Sequence, residues 1–366
     1  MSLVPKHIKE LKPYVAGKSK KEFQRKFGIK NPIKLASNEN PLGCSFKSTK
    51  RVKAHINNCN RYPDSSGFEL RKKLADKYNL DISNVIIGSG SEGIMSNIMR
   101  TFLSRGDRII SSMNSFIGFR VLADASGFFT DWVPMKKYHY DLDAISDRID
   151  ERTKIIYLAN PDNPTGTYFT KEKFDLFMKK VPNRVLIILD EAYYEYAGNS
   201  VDYPDSMIYR YDNIITLRTF SKVYGLAGFR VGYGFAHDEL IMNLMKVKLP
   251  FEPSTLAQEA ALAALDDDEF MKKSIDLNNE EKESMYNFFN SNDVEYIKSA
   301  TNFITLIFDS QRTNQDFSDS LLDNGIIVRN LKAFGLPSCT RITIGRKEEN
   351  KIFKEIFLKV IERIRV

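Results

Sequence analysis

The chain has 366 residues, 42% of them hydrophobic, enough to bury a large core and to divide into two domains. Its formal net charge of +7 comes from Lys and Arg spread along the whole length, with no long basic block and no basic–aromatic interleaving; this argues against a nucleic-acid partner and suits an anionic small-molecule substrate. Cys44, Cys59 and Cys339 form no C-x-x-C pair and the four histidines are scattered, which excludes a disulfide framework or zinc site as the organising feature and favours a reducing compartment.

In chain order, the opening MSLVPKHIKELKPYV lacks the apolar centre of a signal peptide. No run approaches ~18 apolar residues, so a cytoplasmic protein with no membrane partner is expected. Between about 84 and 236, short apolar runs alternate with helical stretches: VIIG (85–88), RIISS (108–112), KIIYLAN (154–160), RVLIILDEAYY (184–194), NIITLRTFSK (213–222) and RVGYGFA (230–236). Strands this continuously apolar are covered on both faces, so the expectation is α/β, a mainly parallel sheet between helices. Residues 255–289 read as one long helix, and the acidic Asp266–Glu269 stretch as its solvated face. NFITLIF (302–308), GIIVRNL (325–331) and RITIGR (341–346) then read as strands, with an amphipathic helix over 348–364. The expected divisions are an arm and small-domain segment over 1–43, a large domain over 44–254 and a smaller α+β domain over 255–366.

Chemistry in an open parallel sheet collects at the C-terminal ends of the strands. Those ends carry Ser89-Gly90-Ser91, Asn160 to Asn163, Asp190, and Thr219 to Lys222. The first opens a helix with Ile94, Met95, Ile98 and Phe102 at helical spacing, so free N–H groups and the helix dipole make a phosphate turn. Its spelling, GSGSEG, also fits the dinucleotide pattern G-x-G-x-x-G. That pattern needs an acid closing the next strand; Asp107 begins that strand and Ser111-Ser112 end it, so a nicotinamide site is disfavoured.

Lys222 follows an apolar strand, with Thr219 and Ser221 on the approach and Arg230 eight residues on. A lysine amine, a phosphate cradle and an arginine together meet the needs of pyridoxal phosphate, an aldehyde to capture and a phosphate to anchor. Asp190 follows five apolar residues and is costly to bury unless it meets a cation, such as a protonated pyridine nitrogen. Tyr193 and Asn163 could hydrogen-bond the ring's phenolic oxygen, although the Asn163 stretch, with its Asn-Pro and Thr-Gly pairs, reads equally well as a simple turn.

The ordered motifs GSGS, NPDNPTG, DEAY and SKVYGLAGFR resemble those of the fold type I, aspartate-aminotransferase-like PLP enzymes. LKPYVAGK (11–18), KLASNENPLG (34–43), NRYPD (60–64), GIIVRN and RITIG extend the resemblance, over nearly the whole chain, to histidinol-phosphate aminotransferases. It implies a seven-stranded sheet in the large domain and pyridoxal phosphate as cofactor. It further implies that Lys222 bonds the cofactor aldehyde, Asp190 pairs with the pyridine nitrogen, Asn163 and Tyr193 bond the phenolic oxygen, and Phe116 stacks on the ring. Ser89, Gly90, Ser91, Thr219, Ser221 and Arg230 would surround the cofactor phosphate. Tyr62 would reach the phosphate in a neighbouring subunit, which implies a homodimer with shared active sites.

Arg329 and Arg341, which alone would read as surface cations near strand ends, would with Tyr14 bind the substrate's phosphate; Arg341 would also take the carboxylate of glutamate. The implied reaction is ping-pong transamination between glutamate and 2-oxoglutarate on one side and histidinol phosphate and imidazole-acetol phosphate on the other, in histidine biosynthesis. Open alternatives are an aromatic amino acid transaminase, a transaminase or decarboxylase for another phosphorylated amine, and a non-catalytic PLP-sensing domain.

Overall fold

The computed structural model describes residues 3–13, 24–25, 31–198, 200–207 and 212–364. Seven strands form the main sheet: β2 (Val85–Gly88), β3 (Arg108–Ser112), β4 (Phe129–Val133), β5 (Thr153–Ala159), β6 (Leu186–Asp190), β7 (Ile214–Thr219) and β8 (Gly232–Phe235). Their spatial order is β2-β8-β7-β6-β5-β3-β4, parallel throughout except for β8, which is antiparallel to both of its neighbours. The mainly parallel α/β sheet expected from the apolar runs is therefore present.

Alternation along each strand feeds two layers. Ile86, Ile155, Tyr157, Ile188 and Leu217 pack on one face beneath helices Gly90–Phe102, Ile117–Ser126 and Asp238–Val247. The opposite face holds Val85, Ile87, Tyr233 and Phe235 against helices Phe68–Tyr78 and Thr255–Ala264. On that same face Ile156, Leu158, Ile187 and Leu189 pack against helix Lys171–Met178. Burial on both faces is the physical reason the strands read as unbroken hydrophobic runs.

A third core lies in the C-terminal part of the chain. Strands β9 (Tyr296–Ile297), β10 (Phe303–Ile307), β12 (Arg329–Asn330) and β13 (Cys339–Thr343) form an antiparallel sheet in the order β12-β13-β10-β9. Ile304, Leu306 and Ile342 face helices Asp268–Asn290, Gln311–Asp323 and Lys347–Ile364, which contribute Phe289, Phe317, Phe353 and Phe357. Their strand neighbours Phe303, Thr305, Arg341 and Thr343 point the other way, toward the large domain, because side chains alternate across a strand. β1 (Ile33–Lys34), from the N-terminal segment, joins this part by pairing in parallel with β11 (Ile326–Ile327).

Two readings of the sequence need correction. The stretch 325–331 is not one strand: β11 pairs with β1 and β12 pairs with β13, so the chain changes sheet at Val328. Residues 255–289 are two helices, Thr255–Ala264 and Asp268–Asn290. The acidic stretch is the junction: Asp266, Asp268 and Glu269 are solvated as expected, with Asp266 paired to Lys73, but Asp267, 8% exposed, accepts the Phe270 N–H as the cap of the second helix. Periodicity alone cannot register such a break, because both helices keep their apolar faces in step.

Removing this cap should be measurable. Asp267→Ala should lower stability by about 1 kcal/mol and Asp267→Asn by much less, read from urea unfolding midpoints; equal effects would deny Asp267 a capping role.

Candidate active site

At the C-terminal edge of the large sheet, a cleft of about 320 Å³ is lined by Ser91, Phe116, Asn163, Asp190, Tyr193, Thr219, Ser221, Lys222 and Arg230, together with Glu92. The side chains arrive from the ends of several strands and the segments that follow them, Asp190 and Tyr193 from β6 and Thr219, Ser221 and Lys222 from β7, which is why one cleft collects residues more than a hundred positions apart.

Asp190 closes β6 and is only 4% exposed. It accepts hydrogen bonds from Tyr157 Oη (2.8 Å) and from the Ala192 N–H (3.1 Å), and among the described residues it has no salt-bridge partner. Burial pushes its carboxyl up to about 6, against the lowering effect of these two donors and of the Lys222 charge. Lys222 Nζ lies 5.4 Å from the centre of the Tyr193 ring. The Tyr193 hydroxyl in turn accepts from Asn38 Nδ2 at 2.8 Å, and its ring meets Phe303 edge-on at 5.5 Å.

The other end of the cleft is a turn at the start of helix Gly90–Phe102. Thr219 Oγ1 and Ser221 Oγ lie 3.0 Å apart, and Arg230 Nη1 donates to Ser221 Oγ at 3.4 Å. Gly90 has φ +75°, and a Cβ there would stand 2.7 Å from Arg230 Nη2; one on Gly232 would stand 2.5 Å from the Ser91 nitrogen. The missing side chains leave a concave space bounded by backbone N–H groups, two hydroxyls and a guanidinium, a fit for a phosphate dianion. Ser89 and Gly90 build this turn without themselves lining the cleft, while Ser91 does line it. Glu92 holds Arg230 Nη2 at 3.0 Å, so the arginine has a carboxylate partner within the cleft.

Arg341 lies one layer away on β13, 5% exposed, donating to Asn163 Oδ1 and, at 2.8 Å, to Ala36 O. Arg329 on β12 is its direct cross-strand neighbour, and both guanidiniums lie near the Phe334 ring, at 5.7 and 5.9 Å. Like charges directly opposed on two strands repel, and an anion between them relieves the cost. Tyr62 is not brought into the cleft of its own chain: it is 80% exposed and stacks on Phe251 at 4.3 Å. Tyr14 lies outside the described residues.

Several contributors are absent from the sequence reading. Tyr157 and Asn38 hold Asp190 and Tyr193, and Glu92 holds Arg230. Glu191 turns away from the cleft into a fully buried ion pair with Arg218 (2.8 Å), whose guanidinium stacks on Tyr194 at 3.4 Å. A tyrosine inside the apolar run KIIYLAN and an arginine inside NIITLRTF were the available signals, since neither is buried without a partner.

The chain belongs to the aminotransferase class I and II family, whose model matches residues 30–356. Within that family it is similar to "Histidinol-phosphate aminotransferase 2" of Haemophilus influenzae, 37% identical over 99% of both chains, and to "Histidinol-phosphate aminotransferase" of a Geobacillus species, 40% identical over 94% of each. The solved structure of histidinol-phosphate aminotransferase from Sinorhizobium meliloti in complex with pyridoxal-5'-phosphate superposes with a TM-score of 0.92. It is 26% identical, over 100% of this chain and 99% of that one. The fold is thus that of the aminotransferases. Among the described residues no helix is long and apolar enough to cross a membrane.

The buried acid yields a prediction with a definite sign. Because burial raises the Asp190 pKa in the folded, cofactor-free protein, the protonated form's contribution is complete below about pH 4 and lost as pH rises through about 6. Asp190→Asn should therefore stabilise the cofactor-free protein by about 1–3 kcal/mol at pH 8 and by much less at pH 4.5, while weakening cofactor retention. Urea unfolding at the two pH values checks it; a variant less stable at pH 8 would contradict it.

Proposed function

We propose that this protein is a pyridoxal phosphate-dependent transaminase that moves an amino group between glutamate and imidazole-acetol phosphate, forming histidinol phosphate and 2-oxoglutarate in histidine biosynthesis. The observation that carries this reading is the pairing of two anion sites about one lysine: the Ser91–Ser221–Arg230 cradle on one side of Lys222, and the opposed Arg329 and Arg341 one layer away. The family and the similarity to histidinol-phosphate aminotransferases support the substrate.

Bound in the cleft, the cofactor supplies an aldehyde for amine capture and a cationic ring that accepts electrons. The protein supplies the rest. Lys222 would hold the cofactor at its aldehyde carbon, and its amine would serve as the base that moves a proton at the amino-bearing carbon of the substrate. Asp190, fixed by Tyr157 and Ala192, holds positive charge on the ring nitrogen. The Tyr193 hydroxyl and the Asn163 amide bond the ring's phenolic oxygen; Asn163 gives its Oδ1 to Arg341, so its N–H groups serve this contact. Phe116 stacks on the ring, and Ser89, Gly90, Ser91, Thr219, Ser221 and Arg230 hold the phosphate.

Arg341 binds the carboxylate of glutamate, and Arg329, Arg341 and Tyr14 bind the phosphate of the other substrate. Guanidinium forks suit either anion, so one site serves both half-reactions. The protein acts in the cytoplasm as a homodimer: the exposed Tyr62–Phe251 stack is the surface that would carry Tyr62 to the neighbouring subunit's phosphate.

A substrate panel with purified enzyme tests the reading. Imidazole-acetol phosphate should be aminated far better than phenylpyruvate. Arg341→Ala should raise KM for both glutamate and histidinol phosphate by about 100-fold, a loss typical of a buried charge-assisted pair, whereas Arg329→Ala should spare glutamate. Preference for phenylpyruvate would replace the substrate with an aromatic amino acid and leave the transaminase chemistry standing.

A further inference from the structure

A second cavity, about 670 Å³, opens where the large domain meets the helix Asp268–Asn290 and the loop before β10, and it shares no lining residue with the cofactor cleft. His139, Lys173, Lys282 and Lys298 line it, and no carboxylate does. Lys173 and Lys298 are exposed and make no ion pair among the described residues. Lys282 Nζ reaches Thr301 O at 3.1 Å, and burial brings its amine down to about 8 against the raising effect of Glu283. His139 is held below its usual range by burial and by the charge of Lys173. The carboxylate of Asp202, beside the rim, is engaged by the Tyr168 hydroxyl at 2.8 Å.

Three lysines whose amines converge on one cavity with no carboxylate in its wall repel one another until an anion enters, and burial favours the neutral, donor-bearing form of His139 beside them. The wall offers ammonium groups and the hydroxyls of Thr170, Ser200 and Ser299. Point charges and hydroxyl donors of this kind serve a tetrahedral phosphoryl group. The volume lies within the range of small-molecule sites.

The wall is also mechanically joined to the substrate arginine. Gly166 O accepts from the Ala300 N–H at 2.8 Å, and the hydroxyls of Thr165 and Thr167 lie 2.9 Å apart. Pro164 O accepts from Thr305 Oγ1 at 2.6 Å, and the preceding residue, Asn163, is the partner of Arg341. A Cβ on Gly166 would collide with Ser299, so only glycine lets the two segments pack this closely. An anion drawing 298–300 toward 167–173 acts on the same short loop that positions Arg341.

We propose that this cavity is a second anion site, which binds a phosphorylated small molecule and through residues 163–167 sets the grip of Arg341 on substrate. The proposal does not depend on which amino acceptor the enzyme uses. Its test is a calorimetric titration with inorganic phosphate, using cofactor-loaded protein that carries Arg329→Ala and Arg341→Ala so that the substrate arginines cannot hold the ion. One phosphate per chain should bind. Adding Lys173→Ala and Lys298→Ala, both at exposed positions, should weaken it by about tenfold or more, the loss of two charge contacts. Lys282→Met should do the same without lowering Tm. No binding in the arginine-free protein, or binding that survives the lysine substitutions, would overturn the proposal.

Discussion

A carboxylate stands at the floor of the cleft with no positive partner in salt-bridge contact among the described residues, and the rest of the site is arranged around that fact. Asp190 ends a strand whose other residues are fully buried, so it enters the low-dielectric interior with them. Its two hydrogen bonds fix the direction of the carboxylate without neutralising it. Such a group is costly until a cation completes it. Under the proposed function a pyridinium ring would be that cation, and the concave turn at Gly90 and Gly232 would receive its phosphate.

The sheet explains how so many groups meet. Its parallel strands end on the same edge, and β6 and β7 each deliver more than one side chain there. The second layer uses the alternation of β10 and β13: Ile304, Leu306 and Ile342 go to the aromatic core, while Phe303, Thr305 and Arg341 go to the large domain. Thus Tyr193, Pro164 and Asn163 are each touched by a residue from the C-terminal sheet. Residues of the cleft and the arginine on β13 are consequently in direct contact, and the loop between them is shared with the basic cavity on its far side.

Much of this is legible in the sequence because the relevant signals are local. A two-sided sheet makes unbroken apolar runs, and a phosphate turn needs small residues between a strand and a helix; both can be read from a few adjacent letters. Lys222 and Asp190 stand out because a charged residue just after a buried strand has few inexpensive explanations, and Arg230 through its short spacing from Lys222. The rest depends on what lies across space. Tyr157 resembles any core aromatic until its hydroxyl is seen to meet Asp190. Glu191 and Asp190 are adjacent letters with opposite destinations, decided by Arg218 on the next strand. The split of 325–331 between two pairings turns on partners remote in sequence, which no local pattern encodes, whereas the helix break at Asp267 rests on a cap three residues away.

The most direct measurement is the titration of the Asp190 carboxyl itself, followed by carbon-13 NMR of aspartate-labelled protein, with the resonance identified by its loss in a substituted chain. In the cofactor-free protein its inflection should lie near pH 6, and on loading with pyridoxal phosphate it should fall below the range of an ordinary aspartate as the ring nitrogen becomes its partner. An inflection near pH 4 that is indifferent to the cofactor would mean that this carboxylate neither bears the cost of burial nor meets a cationic ring.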